Sequence, residues 1–107
     1  MNIIDQYSEQ LRKLCSDHMV DQMFVFGSVL TEDFNDNSDI DFLVKFGKVD
    51  LYEYFDNLLS LKENLEAILN RKVDILEMQA VKNPYLKKSI DSNKLLIYGT
   101  ESPEMAV

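Results

Sequence analysis

Apolar positions along this chain change period from block to block, and each period predicts an element. Ile4, Tyr7, Leu11 and Leu14 recur at helical spacing, with Glu9, Gln10, Arg12 and Lys13 on the other side. That pattern predicts an amphipathic helix over residues 2 to about 17, ended by Ser16-Asp17-His18. Met23 to Phe26 is a short apolar run bounded by Gly27, consistent with a buried strand. Gly27-Ser28 makes a turn, Val29 to Phe34 has room for a helical turn or two, and Asn35-Asp36-Asn37-Ser38 is a turn cluster. Asp39 to Phe46 reads as a second strand closed by Gly47-Lys48. Asp50 with Glu53 resembles a capping box and opens a long helix. Leu51, Tyr54, Phe55, Leu58, Leu61, Leu65, Ile68 and Leu69 keep one of its faces apolar. Asn70-Arg71-Lys72 ends it, with positive charge where the helix dipole favours it. Val73 to Leu76 is a third strand, with Asp74 pointing opposite to Val73 and Ile75. Asn83-Pro84 caps a short helix running to about Ser89 or Ile90, and Leu95 to Tyr98 reads as a fourth, edge strand.

The order is helix, strand, strand, helix, strand, helix, strand. It predicts an α/β (α+β) domain with helices packed on a small mixed sheet. At 107 residues the chain has the length of one domain, placed at residues 1–99, with 100–107 as a flexible tail. The apolar faces of the first and long helices could serve a partner as well as the core, so a homo-oligomer stays open.

Charge narrows the range of partners. Nineteen acids against eleven Lys and Arg give a net charge of −8, which argues against an extended nucleic-acid interface. It leaves room for a small phosphorylated ligand that arrives with metal ions. No apolar run is long enough to span a membrane, the first residues lack the pattern of a signal peptide, and the single Cys15 forms no internal disulfide framework. A cytoplasmic setting is expected.

The candidate chemistry lies in Phe24-Val25-Phe26-Gly27-Ser28, an acidic loop, and Ser38-Asp39-Ile40-Asp41. On a strand, Asp39 and Asp41 stand on one face about 7 Å apart at their Cα atoms. Ile40, Phe42 and Val44 then face the core. Like charges aimed at one spot call for a cation between them. If the second and third strands are neighbours, Asp74 joins the pair. Oxygen-only ligation by carboxylates suits Mg²⁺ or Mn²⁺ better than zinc. Gly27 permits close approach of backbone to ligand, a helix opening there would offer free N–H groups to phosphate, and Ser28 adds a hydroxyl. Metal-binding acids beside a phosphate-holding turn describe phosphoryl or nucleotidyl transfer. An EF-hand register fails, because starting at Asp33 it places Ser38 where Gly is required and Val44 where Glu is required. His18 reads as a helix cap or surface residue, and Cys15 as a small core residue. The tyrosines and phenylalanines read as packing residues on core faces.

Gly27-Ser28 followed ten residues later by Asp39-x-Asp41 resembles the signature of the DNA polymerase beta-type nucleotidyltransferase superfamily. Over residues 1 to about 99 the chain is similar to the minimal nucleotidyltransferases, one-domain proteins often encoded beside a HEPN-domain partner as a toxin–antitoxin pair. Asp74, in Lys72-Val73-Asp74-Ile75, sits where that family places its third acid. The resemblance implies that Asp39 and Asp41 hold two Mg²⁺ ions (or Mn²⁺). Asp74 would complete one metal site and help deprotonate the acceptor, while Gly27 and Ser28 hold the β and γ phosphates of ATP. AMP would pass to a hydroxyl of a HEPN toxin. The chain departs from the family after Gly-Ser: many members carry a segment like Arg-Ala-Arg-Gly, and here it is Val29-Leu30-Thr31-Glu32. That departure motivates an alternative, a catalytically weak antitoxin that neutralises its partner by contact. Transfer to a small molecule, as in aminoglycoside-modifying relatives, ranks last, because the chain is short for an acceptor domain of its own.

Overall fold

The computed structural model describes residues 3–99. The expected tail, 100–107, lies outside them. Four strands form one sheet in the order β3-β2-β1-β4. β1 (Val20–Phe26) and β2 (Ile40–Phe46) are antiparallel, and β2 is parallel to β3 (Val73–Glu77). A parallel pair needs a crossover, supplied here by the long helix α3 (Leu51–Leu69). β4 (Leu95–Tyr98) pairs antiparallel with β1 at the far edge. The sheet is mixed, as the order of elements predicts.

Alternation gives the sheet two unequal faces. Met23, Val25, Ile40, Phe42, Val44 and Val73 pack against Leu11, Leu14 and Cys15 of one helix layer and against Leu61, Leu65 and Leu69 of α3. The other face is thinner: Phe24 and Leu43 meet Ile90 of α4 (Pro84–Asn93), with Phe26, Leu76, Met78 and Leu96 half-buried around them. Asp41 and Asp74 share the side of Leu43 and Leu76, the thinner face.

The helix starts follow their side chains. Asp50 Oδ1 accepts from the Tyr52 amide at 2.9 Å, so the expected capping box reduces to an ordinary N-cap. Asn83 Oδ1 accepts from the amides of Tyr85 and Leu86 at 2.9 and 3.2 Å, with Pro84 in the first turn. His18 is the C-cap of α2, as anticipated. Its Nδ1 lies 2.9 Å from the Leu14 carbonyl and its Nε2 lies 2.9 Å from Ser60 Oγ of α3. Cys15 is fully buried beside Met23, and burial pushes its thiol up to about 12. Tyr54 of α3 donates to the Glu77 carboxylate at the end of β3. Burial and that hydrogen bond raise its phenol to about 12.

Several expectations are corrected. The first helix breaks at Tyr7 into α1 (Ile3–Gln6) and α2 (Ser8–Asp17), because Tyr7 leaves helical geometry at φ −111° and ψ 21°. β1 begins at Val20, earlier than the apolar run suggests. Met19 reverses the chain at φ 61°, and polar Asp21 and Gln22 lie beside an irregularity in the ladder. No α-helix forms over residues 29–34; a single 3₁₀ turn, Gly27–Leu30, takes its place. α3 ends on Asn70 in the left-handed region (φ 53°, ψ 45°), with no basic residue in its last turn. Leu51 and Phe55 leave the core face of α3 and stand in solvent, as do Tyr52 and Tyr85. Among the described residues, no helix is long and apolar enough to cross a membrane.

Candidate active site

The strand register sets up a row across the thin face. Phe26 pairs with Asp41, and Asp41 pairs with Asp74. Neighbouring strands lie about 4.8 Å apart, so the two carboxylates stand side by side. Gly27 follows Phe26 at φ 81°, a conformation that L side chains rarely adopt. A Cβ on Gly27 would meet Asp41 Oδ2 at 2.6 Å. The glycine is therefore required twice, by its backbone angle and by the carboxylate against it.

Asp41 is half-buried and its carboxyl is held above the usual carboxylate range. Burial is the main cause, followed by the negative charges of Asp74 and then Asp39. Asp74 and Asp39 are exposed. The ladder begins at Ile40, whose amide donates to the Lys72 carbonyl at 3.1 Å, so Asp39 sits one residue outside β2. Its position is set by the loop before it. Arg71 Nη1 donates to the carbonyls of Asn35 and Ser38, both at 3.0 Å, and its guanidinium lies 4.5 Å over the Phe34 ring. Within the loop the Asn35 amide donates to Ser38 Oγ and the Asn37 amide to Asn35 Oδ1. Arg71 and this clasp are what the residue spacing did not disclose. The Arg71-Lys72 pair suggested a helix-dipole partner, and its real partners lie over thirty residues away in sequence.

Of the five residues singled out in the sequence, Asp41, Asp74 and Gly27 come together directly. Ser28 lies in the 3₁₀ turn beside them, and Thr31 fixes that turn by donating its amide and its hydroxyl to the Ser28 carbonyl, each at 2.9 Å. Asp39 is within electrostatic reach of Asp41. Among the described residues, no three His, Cys, Asp or Glu side chains converge closely enough to hold a metal ion by themselves. The donor set is nonetheless that of a hard cation. Mg²⁺ keeps several waters and is usually bound through one or two carboxylates plus substrate phosphates, so a carboxylate pair with a third acid nearby suits it without a closed cage.

Two grooves flank the row. One, of about 360 Å³, runs between the 3₁₀ turn and α4, past Gly27, Leu30, Thr31, Ser89 and Asn93. The other, of about 320 Å³, lies between α3 and β3 and is lined by Phe55, Leu58, Leu59, Lys62, Asp74 and Ile75. The row thus has one opening on the Gly27 side and another on the Asp74 side.

A mixed sheet with a glycine turn against one of two paired strand carboxylates is the layout of a nucleotidyltransferase domain, and the comparisons with known proteins agree. Residues 9–102 match the family described as "Polymerase beta, Nucleotidyltransferase". The chain belongs to that family. Two proteins of Methanocaldococcus jannaschii, both named "putative protein adenylyltransferase", are 37% and 36% identical to it. Each alignment covers 92% of this chain and 99% of the relative. Among solved structures, one described as a minimal nucleotidyltransferase matches with a TM-score of 0.72 at 27% identity, over 89% of this chain and 95% of that one. A chain of a toxin–antitoxin complex with AMP-PNP has the same fold, with a TM-score of 0.70 at 20% identity, covering 92% of this chain and 78% of that one. So does a chain from the complex of tri-AMPylated Shewanella oneidensis HEPN toxin with MNT antitoxin, with a TM-score of 0.65 at 19% identity, over 95% and 77%.

Proposed function

We propose that this nucleotidyltransferase moves AMP from ATP to a hydroxyl of a partner protein, and that the partner is a HEPN-domain toxin. The observation that carries the chemistry is the row itself, with Gly27 packed against Asp41 and Asp41 paired to Asp74. The choice of a protein acceptor is supported by the names of relatives aligned over nearly their whole length. The choice of a HEPN partner is supported by the toxin–antitoxin complexes that share the fold. Residues 1–99 act as one catalytic unit, in the cytoplasm, where ATP is available.

Asp39 and Asp41 would hold two Mg²⁺ ions (or Mn²⁺), and Asp74 would complete one of the two sites; ions held there would supply neutralisation of the triphosphate and of the charge that builds in transfer. The backbone N–H groups of the Gly27 turn and the Ser28 hydroxyl hold the β and γ phosphates. With no α-helix behind the turn, they do so without a helix dipole, and the family's basic residues are absent from Val29 to Glu32. Asp74 takes the proton of the acceptor hydroxyl. The oxygen so freed bonds to the α-phosphorus, the bond from that phosphorus to the bridging oxygen breaks, and pyrophosphate leaves.

The test is to incubate the chain with the product of its neighbouring gene, expected to be a HEPN-domain protein, Mg²⁺ and ATP labelled at the α-phosphate. Label on the partner, with one pyrophosphate released per label, is the expected result. A partner inhibited without label, by a chain that binds no ATP at millimolar concentration, would establish neutralisation by contact instead.

A further inference from the structure

Four large apolar side chains stand in solvent along the first half of α3. Leu51 is 84% exposed, Tyr52 93%, Phe55 68% and Leu59 43%. At about 100° per residue these four fall within an arc of about 100°, and Lys62 lies on the same arc. The stripe adjoins the buried face of Leu61 and Leu65, and Leu69, about five turns beyond Leu51 on the same line, is buried where the sheet covers it. From Leu51 to Lys62 it runs for about 16 Å at a rise of about 1.5 Å per residue. An apolar patch that no described element covers marks a binding surface.

We infer that this stripe of α3 is the docking track for the acceptor protein, and that it receives an apolar segment flanked by basic residues. The inference rests on the protein-adenylyltransferase reading above. Three observations choose the occupant. First, the stripe is continuous with the row: Phe55 and Leu59 line the same groove as Asp74, so a segment lying on the track presents its hydroxyl to the acid that takes the proton. Second, the track is bordered by acids. Asp56 and Glu63 fall within about 40° of its edge at about 100° per residue, on a molecule of net charge −8. A nucleotide or nucleic acid is repelled by such a border, and basic residues beside an apolar segment are attracted. Third, a second copy of the chain would bring the same acids face to face and cover the groove at Asp74, closing the acceptor's approach. The two substrates then enter from opposite sides, the triphosphate by Gly27 and the acceptor by Asp74.

The experiment compares the full chain with Phe55→Asp/Leu59→Asp and with the milder Phe55→Ala/Leu59→Ala. Each is incubated with ATP labelled at the α-phosphate and Mg²⁺ in a lysate of the source cells, and the labelled protein is quantified. Mg·ATP binding, thermal melting and sedimentation are measured on the same samples. We expect the aspartate pair to lower labelling at least tenfold and the alanine pair at least threefold. Mg·ATP affinity should stay unchanged and all three proteins should sediment as monomers. Unchanged labelling overturns the docking track. So does a wild-type dimer that the aspartate pair converts to a monomer, since a second copy would then be the occupant. If the aspartate pair melts early, the alanine pair decides alone by the same threefold criterion. A wild-type chain that binds Mg·ATP but labels no protein refutes the protein-acceptor reading, and the track falls with it.

Discussion

At the scale of single residues, Gly27 and Asp41 constrain each other. An alanine at position 27 must hold a φ of 81° and place its Cβ 2.6 Å from Asp41 Oδ2. The backbone conformation alone costs about 1–2 kcal/mol, so Gly27→Ala should lower Tm by at least about 4 °C. It should also lower AMP transfer at least tenfold, because the carboxylate must move. An unchanged melt, followed by fluorescence, would show that the contact is not tight. Asp41 carries its own signature. Its pKa in the fold is raised above the ordinary 3.8, so the folded state binds the proton more tightly than the unfolded state and the ionised carboxylate costs stability. Without metal, Asp41→Asn should melt higher than wild type at neutral pH. That gap should shrink as pH falls through the raised folded pKa and vanish below the unfolded value. Paired melts in EDTA across this range check the sign. That Asp41 and Asp74 each face away from the core side chains of their strands was legible from the two-residue period of a strand. The contact between Gly27 and Asp41 was not, since it depends on how β1 and β2 register.

At the scale of elements, the long helix, the mixed sheet and the edge strand followed from the order of elements, hydrophobic period and capping residues. What failed did so for local reasons: the break at Tyr7, the early start of β1 through Asp21 and Gln22, and the 3₁₀ turn in place of a helix. The clasp by Arg71 belongs here too, because it ties the end of α3 to the loop that delivers Asp39. Losing its two hydrogen bonds to carbonyls and its stacking on Phe34 should cost about 1–3 kcal/mol. A stability loss alone would not separate structure from positioning. We expect Arg71→Ala also to raise the Mg²⁺ concentration needed for half-maximal transfer, with Arg71→Lys recovering little, since an ammonium lacks the planar fork. A Mg²⁺ dependence identical to wild type, in a variant that still folds, would reduce Arg71 to a loop staple.

At the scale of the molecule, one sheet face is fully built and the other is left thin, and the candidate chemistry occupies the thin one. Half of α3 serves the core while its exposed stripe remains outside. Periodicity assigned Leu51 and Phe55 to the core because it cannot tell which part of an apolar face the sheet is long enough to cover. Negative charge argues against an extended nucleic-acid interface, and the acids along α3 are part of that charge. The most direct measurement of the central claim is label transfer from α-labelled ATP to the partner by wild type and by Asp39→Asn/Asp41→Asn, with melting recorded for both. We expect transfer to be abolished in the double variant, with a melting temperature equal to or above that of metal-free wild type. Transfer that survives the double substitution would place the metal site elsewhere and contradict the assignment of the row.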